Sequence, residues 1–511
     1  MTKRPNILLI TTDQQHFTAL GTVNDKIKTP NIDRLCCEGT RFDRAYCPSP
    51  VCTPSRASIV TGLYPSHHGA WTIGVKLSED VPTVGSVLSQ AGYRTGLVGK
   101  AHFQPLAGDS LEKQPVLRDL DFWRDFHGPY YGFDHIELAR NHADEAHVGQ
   151  HYAAWMEDRG LTDWREYFQP LPGETSAKAP EMAKNAPYWA RESRAWSLPE
   201  DLHYTPWIGE RSVAFIQEAA EADQPFFLWT SFPDPHPPYT VPEPWATMYD
   251  PEDMEPGKMV AGEHELNAPH FAMTQQENPD FANWHVPHEA HGCASHLYDA
   301  EALKKDMAVY YGMMSFLDRE VGRILDKLDD LNLAEDTLIV FTTDHGHFLG
   351  QHGLVAKGPF HYEDMLKVPF IVRWPGRVAA GKVSDDIQSL VDLTPTFIEA
   401  ATQERPDDLQ GLSQLDAWTG RGPAERKFAI CENRHNPEMP HVTSYIEDRY
   451  KISVYRHGEY GEFFDLKEDP REVNNLWDAP DAAHLKTDVL TRMVQSLLQS
   501  EPMKMPRLAQ A

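Results

Sequence analysis

The sequence has no long hydrophobic run near its start. Only four consecutive apolar residues, Ile7 to Ile10, follow the opening Met-Thr-Lys-Arg-Pro segment. That run is far shorter than a signal-peptide core or the ~18 apolar residues that a membrane span needs. We therefore expect a cytoplasmic protein that does not insert into a membrane.

Basic residues are scarce as well. The 511 residues include 47 Lys and Arg against 76 Asp and Glu, which gives a formal net charge of −29. A surface this acidic repels nucleic-acid phosphates and anionic lipids. The charge argues against nucleic-acid or membrane-surface binding as the main function, but it does not identify a ligand.

Cysteine is the third scarce residue, and the six positions are uneven: Cys36, Cys37, Cys47, Cys52, Cys293 and Cys431. So few cysteines do not form a disulfide framework in a chain of this length. Reduced thiols are therefore expected, with Cys52 set apart by the motif that surrounds it.

Apolar runs alternate with helical patterns along most of the chain, which predicts an α/β fold with a mostly parallel sheet covered on both faces. The predicted helices are 29–39, 83–91, 205–220, 301–331 and 485–498, and the predicted strands are 7–12, 95–98, 225–232, 337–343, 368–373, 427–431, 450–455 and 462–466.

The length exceeds the ~250–300 residues at which single cores stop growing, so a large domain and a smaller one are expected. We assign residues 1–405 to a catalytic α/β domain with loop insertions at about 104–202 and 233–296. Residues 406–511 form the second unit, a C-terminal α+β subdomain with short antiparallel strands and a final helix.

Two predicted strands end in a carboxylate beside a second potential ligand. Asp13-Gln14 follows the first strand, and Asp344-His345 follows strand 337–343. Carboxyl ends of parallel strands share one edge, so the four side chains can converge on a divalent cation. The oxygen-rich set favours Ca²⁺, while the imidazole leaves Mn²⁺ or Mg²⁺ open and makes Zn²⁺ a poorer fit. Either dipeptide alone is better explained as a turn cap, and only the two together suggest a metal.

Cys52 lies just ahead of a predicted helix, with Thr53 as the capping side chain and Pro54 in the first turn. The helix dipole and Arg56 would stabilise an anion at this position. The segment is consistent with either a buried, inert cysteine or an activated thiolate nucleophile.

Cys52-Thr-Pro-Ser-Arg56, continued to Thr61-Gly-Leu-Tyr-Pro65, resembles the signature of the type I sulfatases of the alkaline phosphatase superfamily. Four further motifs are similar to those of the family: Gly99-Lys-Ala-His102; Pro235-His-Pro-Pro238; Thr343-Asp-His-Gly346 with Lys357; and Glu462 to Pro470 with Asn475-Leu476.

The resemblance implies an alkaline-phosphatase-like fold and a Cys52 that a formylglycine-generating enzyme oxidises to formylglycine. The hydrated aldehyde would attack a small anionic sulfate ester and later expel sulfate. The implied cation ligands are Asp13, Gln14, Asp344, His345 and modified Cys52. Arg56, Lys100 and Lys357 would stabilise charge, His102 would partner the diol, and His236, with Lys357, would protonate the leaving group.

Gln14 and His345 depart from the Asp-Asp and Asp-Asn pairs of many sulfatases and resemble the choline-sulfatase and phosphonate monoester hydrolase branches. The leading prediction is therefore a sulfate monoester hydrolase. The alternatives are a phosphonate monoester or phosphodiester hydrolase with the same site, and a metal-binding pseudoenzyme in which Cys52 stays unmodified. A homo-oligomer is compatible with the sequence.

Two other features carry less weight. The histidine-rich stretch 284–296 is interpreted as a loop near the site mouth, with a second metal site as the alternative. Several aromatic residues are core residues or candidates for an apolar wall around a leaving group: Trp71, Trp123, Tyr130, Tyr131, Trp155 and Trp189.

Overall fold

The computed structural model describes residues 4–171, 174, 193–276, 299–434 and 440–501. The strands are β1 Asn6–Thr12, β2 Thr40–Phe42, β3 Ala45–Tyr46, β4 Arg94–Gly99, β5 His135–Leu138, β6 Arg194–Ala195, β7 Phe226–Ser231, β8 Thr240–Val241, β9 Thr337–Thr343, β10 Phe348–Leu349, β11 Val355–Ala356, β12 Phe370–Arg373, β13 Lys382–Ser384, β14 Gln388–Ser389, β15 Ala429–Arg434, β16 His441–Ile446, β17 Tyr450–Tyr455 and β18 Gly461–Asp465.

The helices are α1 Pro30–Glu38, α2 Cys52–Thr61, α3 Pro65–His68, α4 Val84–Gln90, α5 Leu120–Asp125, α6 Gln150–Asp158, α7 Tyr204–Glu221, α8 Pro269–Met273, α9 Ala300–Asp330, α10 Glu363–Leu366, α11 Leu393–Thr402, α12 Leu415–Trp418 and α13 Ala483–Gln499. Within the described ranges, no helix combines the length and the apolar character that crossing a membrane requires.

An eight-stranded sheet forms the centre of the molecule, with strand order β13-β2-β12-β9-β1-β7-β4-β5. Five consecutive strands of this sheet, β9, β1, β7, β4 and β5, pair in parallel. This arrangement confirms the predicted mostly parallel sheet. Alternate residues of β1 enter different cores: Ile7 and Leu9 join one cluster, and Leu8 and Ile10 join the other. Both faces of the sheet are therefore buried, as in other helix-covered parallel sheets.

The register of β1 and β9 sets the position of the site. Thr12 pairs with Thr343 at the last step of this ladder. The next residues, Asp13 and Asp344, therefore leave the sheet side by side at its carboxyl edge.

β12 runs antiparallel between β9 and β2, although the sequence had suggested another member of the parallel set. A parallel return needs a crossover across the face of the sheet, usually through a helix. The segment between β9 and β12 contains the β10–β11 hairpin, a 3₁₀ turn at Gln351–Gly353 and the four-residue helix α10, and no helix long enough to cross the sheet. The chain therefore returns in the opposite direction, and the intervening segment supplies Lys357 to the carboxyl edge.

The described residues of the stretch 104–202 include regular elements that its loop-like sequence did not suggest. It contains α5, α6 and the edge strand β5, which pairs in parallel with β4. Because β5 ends at the same sheet edge as β1 and β9, the residues that follow it also reach the site. The predicted loop 284–296, Trp189 and the chain end from 503 lie outside the described residues.

A four-stranded antiparallel sheet, in the order β15-β16-β17-β18, lies near the C-terminus, as predicted. One face contributes Cys431, Val442 and Phe464 to a core cluster of the main sheet. The other face contributes Ile452 and Phe463 to a separate hydrophobic cluster that also contains Val489 and Met493 of α13. The division of the chain near residue 405 stays a prediction.

Candidate active site

The two strand-end carboxylates lie in a fully buried cluster with His345 and Cys52. One potential ligand atom from each of Asp13, Cys52, Asp344 and His345 lies within 4.8 Å of the other three. The Cys52 sulfur is 3.2 Å from His345 Nε2 and 3.6 Å from Asp13 Oδ1. The structure thus brings together residues from β1, α2 and β9 that are as much as 332 positions apart in sequence.

Cys52 is the first residue of α2, and the cap is Val51, whose side chain supplies no hydrogen bond. The expectation that Thr53 caps the helix is therefore wrong, because Thr53 already lies inside the first turn. Cys52 nevertheless lies at the helix N-terminus, where free backbone N–H groups and the dipole favour an anion. The neighbouring Ser55 hydroxyl donates to the Asp344 carbonyl at 2.5 Å, which anchors this turn to the end of β9.

Lys357 links Cys52 to His236, which lies in the Pro235–Pro238 segment, called the histidine loop below. Its Nζ donates to Cys52 Sγ at 3.0 Å and to His236 Nε2 at 2.9 Å. All three side chains are buried. Burial lowers the pKa of Lys357, but the charges of Cys52 and Asp13 raise it more, so the ammonium form is maintained.

The Cys52 thiol itself titrates more easily than an ordinary cysteine. Burial and the Asp13 carboxylate raise its pKa, whereas Lys100 and Lys357 lower it, and the net result is a pKa of about 7. A thiol with this pKa is substantially ionised near neutral pH, as reactive cysteines are.

Arg56 has its side-chain donors committed within the site. Nε donates to Asp344 Oδ2 at 2.8 Å, Nη2 to Asp13 Oδ2 at 3.1 Å, and Nη1 to Ser231 Oγ and the Lys100 carbonyl at 2.8 and 2.9 Å. Lys100 Nζ also contacts Asp13 Oδ2. Arg56 therefore holds both carboxylates in place. The resemblance implied that Arg56 stabilises charge on the substrate, whereas its contacts in this structure are to other residues of the site.

The donor set fits a divalent cation. Gln14 has a left-handed backbone with φ 62°, and its amide nitrogen donates to His347 Nδ1 at 2.8 Å. The side-chain oxygen of Gln14, Oε1, is buried without a hydrogen-bond partner among the described residues. A buried oxygen that no hydrogen bond satisfies needs another partner, and on the residue next to Asp13 a divalent cation would provide one. Asp13, Gln14, Cys52, Asp344 and His345 are the residues that would hold the ion.

Two of the sequence-predicted histidines are electrically neutral in this environment. Burial lowers the pKa of His236 well below its ordinary value, and His142 and Lys357 lower it further. Burial also lowers the pKa of His102 strongly, with Lys100 and Arg140 adding to the effect. His102 contacts Arg140 and has no described hydrogen bond to Cys52. His102 therefore borders the cluster, whereas His236 joins it through Lys357.

His142, which no sequence motif indicated, lies between these groups. Its ring stacks on that of His236 with centroids 3.7 Å apart, and its Nε2 contacts Lys100 Nζ. Its Nδ1 is 3.0 Å from Glu145 Oε2. The signal that could have found it is the end of β5, four residues upstream, which had not been recognised as a strand.

The aromatic residues considered for an apolar wall lie mainly in the core. Trp123, Tyr130 and Tyr131 are buried in the cluster that also contains Phe103. Trp155 is half-buried, and its indole N–H donates to Glu210 at 3.2 Å. Packing therefore explains these four residues. Trp71 and Trp189 are the remaining candidates for the apolar wall.

Comparison with known proteins gives a consistent result. The family model described as Sulfatase matches residues 5–403, and a model described as the C-terminal region of N-sulphoglucosamine sulphohydrolase matches residues 350–499. An arylsulfatase of Clostridium perfringens is 30% identical over 485 residues, which cover 93% of this chain and 90% of that protein. A choline-sulfatase of Rhizobium meliloti is 26% identical and covers 94% of this chain and 83% of its own length.

Among solved structures, the phosphonate monoester hydrolase of Agrobacterium radiobacter superposes with a TM-score of 0.77 and 25% sequence identity. The match covers 99% of this chain and 98% of the other. The likeness therefore extends over both sheets and the loops between them.

Proposed function

The chain belongs to the sulfatase family and hydrolyses sulfuric esters, and from that premise we propose a reaction centred on an aldehyde generated from Cys52. The observation that carries this proposal is the environment of Cys52 Sγ. His345 of the candidate cation site lies 3.2 Å from the sulfur, and Lys357 Nζ lies 3.0 Å from it. A nucleophile at this position has both a cation site and a proton donor within contact.

We propose Ca²⁺ as the cation, with Mn²⁺ and Mg²⁺ as alternatives, held by Asp13, Gln14, modified Cys52, Asp344 and His345. Two carboxylates and an amide oxygen favour a hard cation, while the single imidazole keeps Mn²⁺ in contention. When bound, the ion supplies Lewis acidity for the nucleophile and for the sulfuryl oxygens.

The maturation of Cys52 belongs to the same proposal. A formylglycine-generating enzyme would convert the thiol to an aldehyde, whose hydrated form supplies the attacking hydroxyl. The low pKa of the Cys52 thiol does not by itself require this step, because a thiolate could also serve as a nucleophile. The two chemistries differ in the mass of residue 52, which makes the distinction measurable.

Charge in the site favours an anionic substrate. Three buried cationic side chains, Arg56, Lys100 and Lys357, outnumber the two carboxylates Asp13 and Asp344. Adding a divalent cation increases the excess positive charge, so a small sulfate ester is attracted although the protein as a whole carries −29. Lys357 is the cation best placed to contact the transferred group, because Arg56 and Lys100 are engaged with Asp13.

Proton transfer to the leaving oxygen is assigned to the Lys357–His236 pair. His236 Nδ1 donates to the Pro237 carbonyl at 2.5 Å, so Nε2 is the acceptor of the Lys357 hydrogen bond. The available proton therefore lies on Lys357 Nζ, and neutral His236 orients this ammonium group and can receive or relay its proton. Such a positioned acid typically contributes 10²–10⁴-fold to the rate.

A second candidate function uses the same residues on phosphonate monoesters or phosphate diesters. The solved structure of the phosphonate monoester hydrolase, which matches nearly the whole chain, supports it. Tetrahedral oxyanions on sulfur and phosphorus make similar demands on cations and proton donors. The decisive experiment compares kcat/KM for an aryl sulfate and for the phenyl phosphonate ester with the same aryl leaving group.

We expect the sulfate ester to be the better substrate in that comparison. Phosphonate turnover that exceeds sulfate turnover by orders of magnitude would transfer the main function to the second candidate. A pseudoenzyme would turn over neither ester. This would hold even when the protein has been loaded with cation and mass spectrometry has established the chemical state of residue 52.

A further inference from the structure

A second cluster of metal-binding side chains lies at the edge of the main sheet, apart from Cys52. His127 precedes a tight hairpin, and His135 and Glu137 lie on β5, the outermost strand. One potential ligand atom of each residue lies within 4.8 Å of those of the other two. The ester-hydrolysis mechanism uses none of the three.

The backbone brings these residues together. His135 and Glu137 are two positions apart on a strand, so their side chains project from the same face. Ile136 N donates to the His127 carbonyl at 2.9 Å, and Tyr130 and Phe133 exchange two backbone hydrogen bonds of 3.0 Å across the turn. The cluster therefore spans the base of a closed hairpin.

The His127 ring is already oriented for binding through Nε2. Its Nδ1 is 3.2 Å from the Ile136 carbonyl oxygen. Because a carbonyl only accepts hydrogen bonds, Nδ1 carries the proton and Nε2 has the free lone pair. Metal-binding histidines commonly use a backbone carbonyl in this way. The ring is also stacked parallel to His135, with centroids 5.2 Å apart and planes at 1°.

Glu137 supplies an ionised carboxylate. Arg211 donates to Glu137 Oε1 through Nε at 3.1 Å and Nη2 at 2.9 Å, and both hydrogen bonds use the same oxygen. Oε2 is therefore the oxygen that Arg211 leaves for a metal. His135 Nε2 lies 3.6 Å from Oε1 of the same side chain, which places this imidazole beside the carboxylate that offers Oε2.

We propose that His127, His135 and Glu137 bind a divalent transition metal of the zinc class, with water completing the coordination. Two imidazoles and one carboxylate suit Zn²⁺ and its neighbours Ni²⁺ and Cu²⁺, whereas Ca²⁺ and Mg²⁺ require more oxygen ligands than this cluster offers. The ion would cross-link the hairpin to the edge strand of the sheet.

The test is a Zn²⁺ titration by calorimetry on the full chain with its active-site cation already saturated. The variants His127→Gln and His135→Gln are compared with His484→Gln, a control at an exposed histidine that also has a carboxylate nearby. We expect one additional Zn²⁺ equivalent, weakened at least tenfold by either cluster substitution and unchanged in the control. Circular dichroism and basal esterase activity verify that each variant is folded.

Crystals soaked in Zn²⁺ give an independent measurement. An anomalous difference peak at the zinc edge between the three side chains would support the site. Absence of that peak, or an unchanged zinc isotherm in the His127→Gln/His135→Gln double variant, would overturn the proposal. Because the titration is read without substrate, its failure leaves the ester-hydrolase assignment intact, and failure of that assignment leaves the zinc result interpretable.

Discussion

Lys357 Nζ lies 3.0 Å from Cys52 Sγ, the side chain from which we propose that the nucleophile is generated. The same ammonium group is 2.9 Å from His236 Nε2. One buried lysine thus contacts both the nucleophile position and the histidine loop, and this arrangement makes Lys357 the centre of the proposed charge and proton chemistry.

Replacing Lys357 with methionine keeps most of the side-chain volume but removes the charge and the proton. We expect kcat to fall by roughly 10²–10⁴-fold, with a smaller change in KM. The loss should grow with the pKa of the leaving alcohol, because poor leaving groups depend most on protonation. Steady-state kinetics on a series of substituted aryl sulfates measures both effects.

Lys382→Met on the exposed strand β13 is the matched control and should retain full activity. A Lys357→Met loss that is the same for every leaving group would exclude this lysine as the acid and leave it a purely electrostatic role.

Arg56 contributes mainly to stability through its two buried ion pairs. Arg56→Gln leaves Asp13 and Asp344 without their guanidinium partner, and breaking a buried pair in this way costs about 3–5 kcal/mol. Urea unfolding of the cation-free protein should show a loss of this size. Arg449→Gln, which removes the ion pair between the solvent-exposed Arg449 and Asp465, should cost much less. Equal stability losses for the two variants would show that the buried pairs contribute no more than a surface pair.

Gln14 gives a test of the cation site. Its side-chain oxygen Oε1 is buried and has no hydrogen-bond partner among the described residues, so Gln14→Leu removes a proposed ligand while leaving both carboxylates in the sequence. We expect cation affinity to fall by roughly 10–100-fold or more, a range seen even for residues outside the coordination sphere. Activity is first removed with a chelator and then restored by titrating Ca²⁺, Mn²⁺ or Mg²⁺. Gln217→Leu, on α7, is the control, and an equal metal requirement in both variants would exclude Gln14 as a ligand.

Asp306 on α9 makes stability depend on pH. Burial raises its pKa to about 8, and a hydrogen bond from Ser193 only partly offsets this. Ionisation is therefore easier in the unfolded chain, so Asp306 lowers stability progressively as pH rises from about 4 to 8. Asp306→Asn removes this penalty, and its stabilising effect should be about 3 kcal/mol larger at pH 7.5 than at pH 5.

Urea unfolding at the two pH values provides this difference. Asp326→Asn, at an exposed site on the same helix, should show little pH dependence. A stabilisation by Asp306→Asn that is equal at both pH values would mean that the Asp306 carboxyl is not perturbed in the folded protein.

The sequence allowed the convergence of Asp13 and Asp344 to be predicted, because each ends an unbroken apolar strand and parallel strands share their carboxyl edge. The long helix α9 and strand β9 were equally clear, since their periodicity extends over their whole length. β5 was missed because four residues at a sheet edge provide too short a pattern. Without β5, nothing in the sequence connected His142 with the site.

β16 shows a related difficulty. Its residues include Thr443, Ser444 and Tyr445, so the strand has few purely apolar positions, and pairing with β15 and β17 determines its conformation. The role of Arg56 could not be read from its motif either. Sequence placed it one turn after Cys52, but only the fold shows that its donors are used by two carboxylates from different strands.

The most direct test of the central claim is peptide mass spectrometry of residue 52 in active protein purified from its native host. We predict an aldehyde, or its hydrate, at this position, in a fraction that increases in proportion to the specific sulfatase activity across preparations. Fully active protein in which residue 52 is only unmodified cysteine would contradict the formylglycine mechanism and leave the thiolate as the nucleophile.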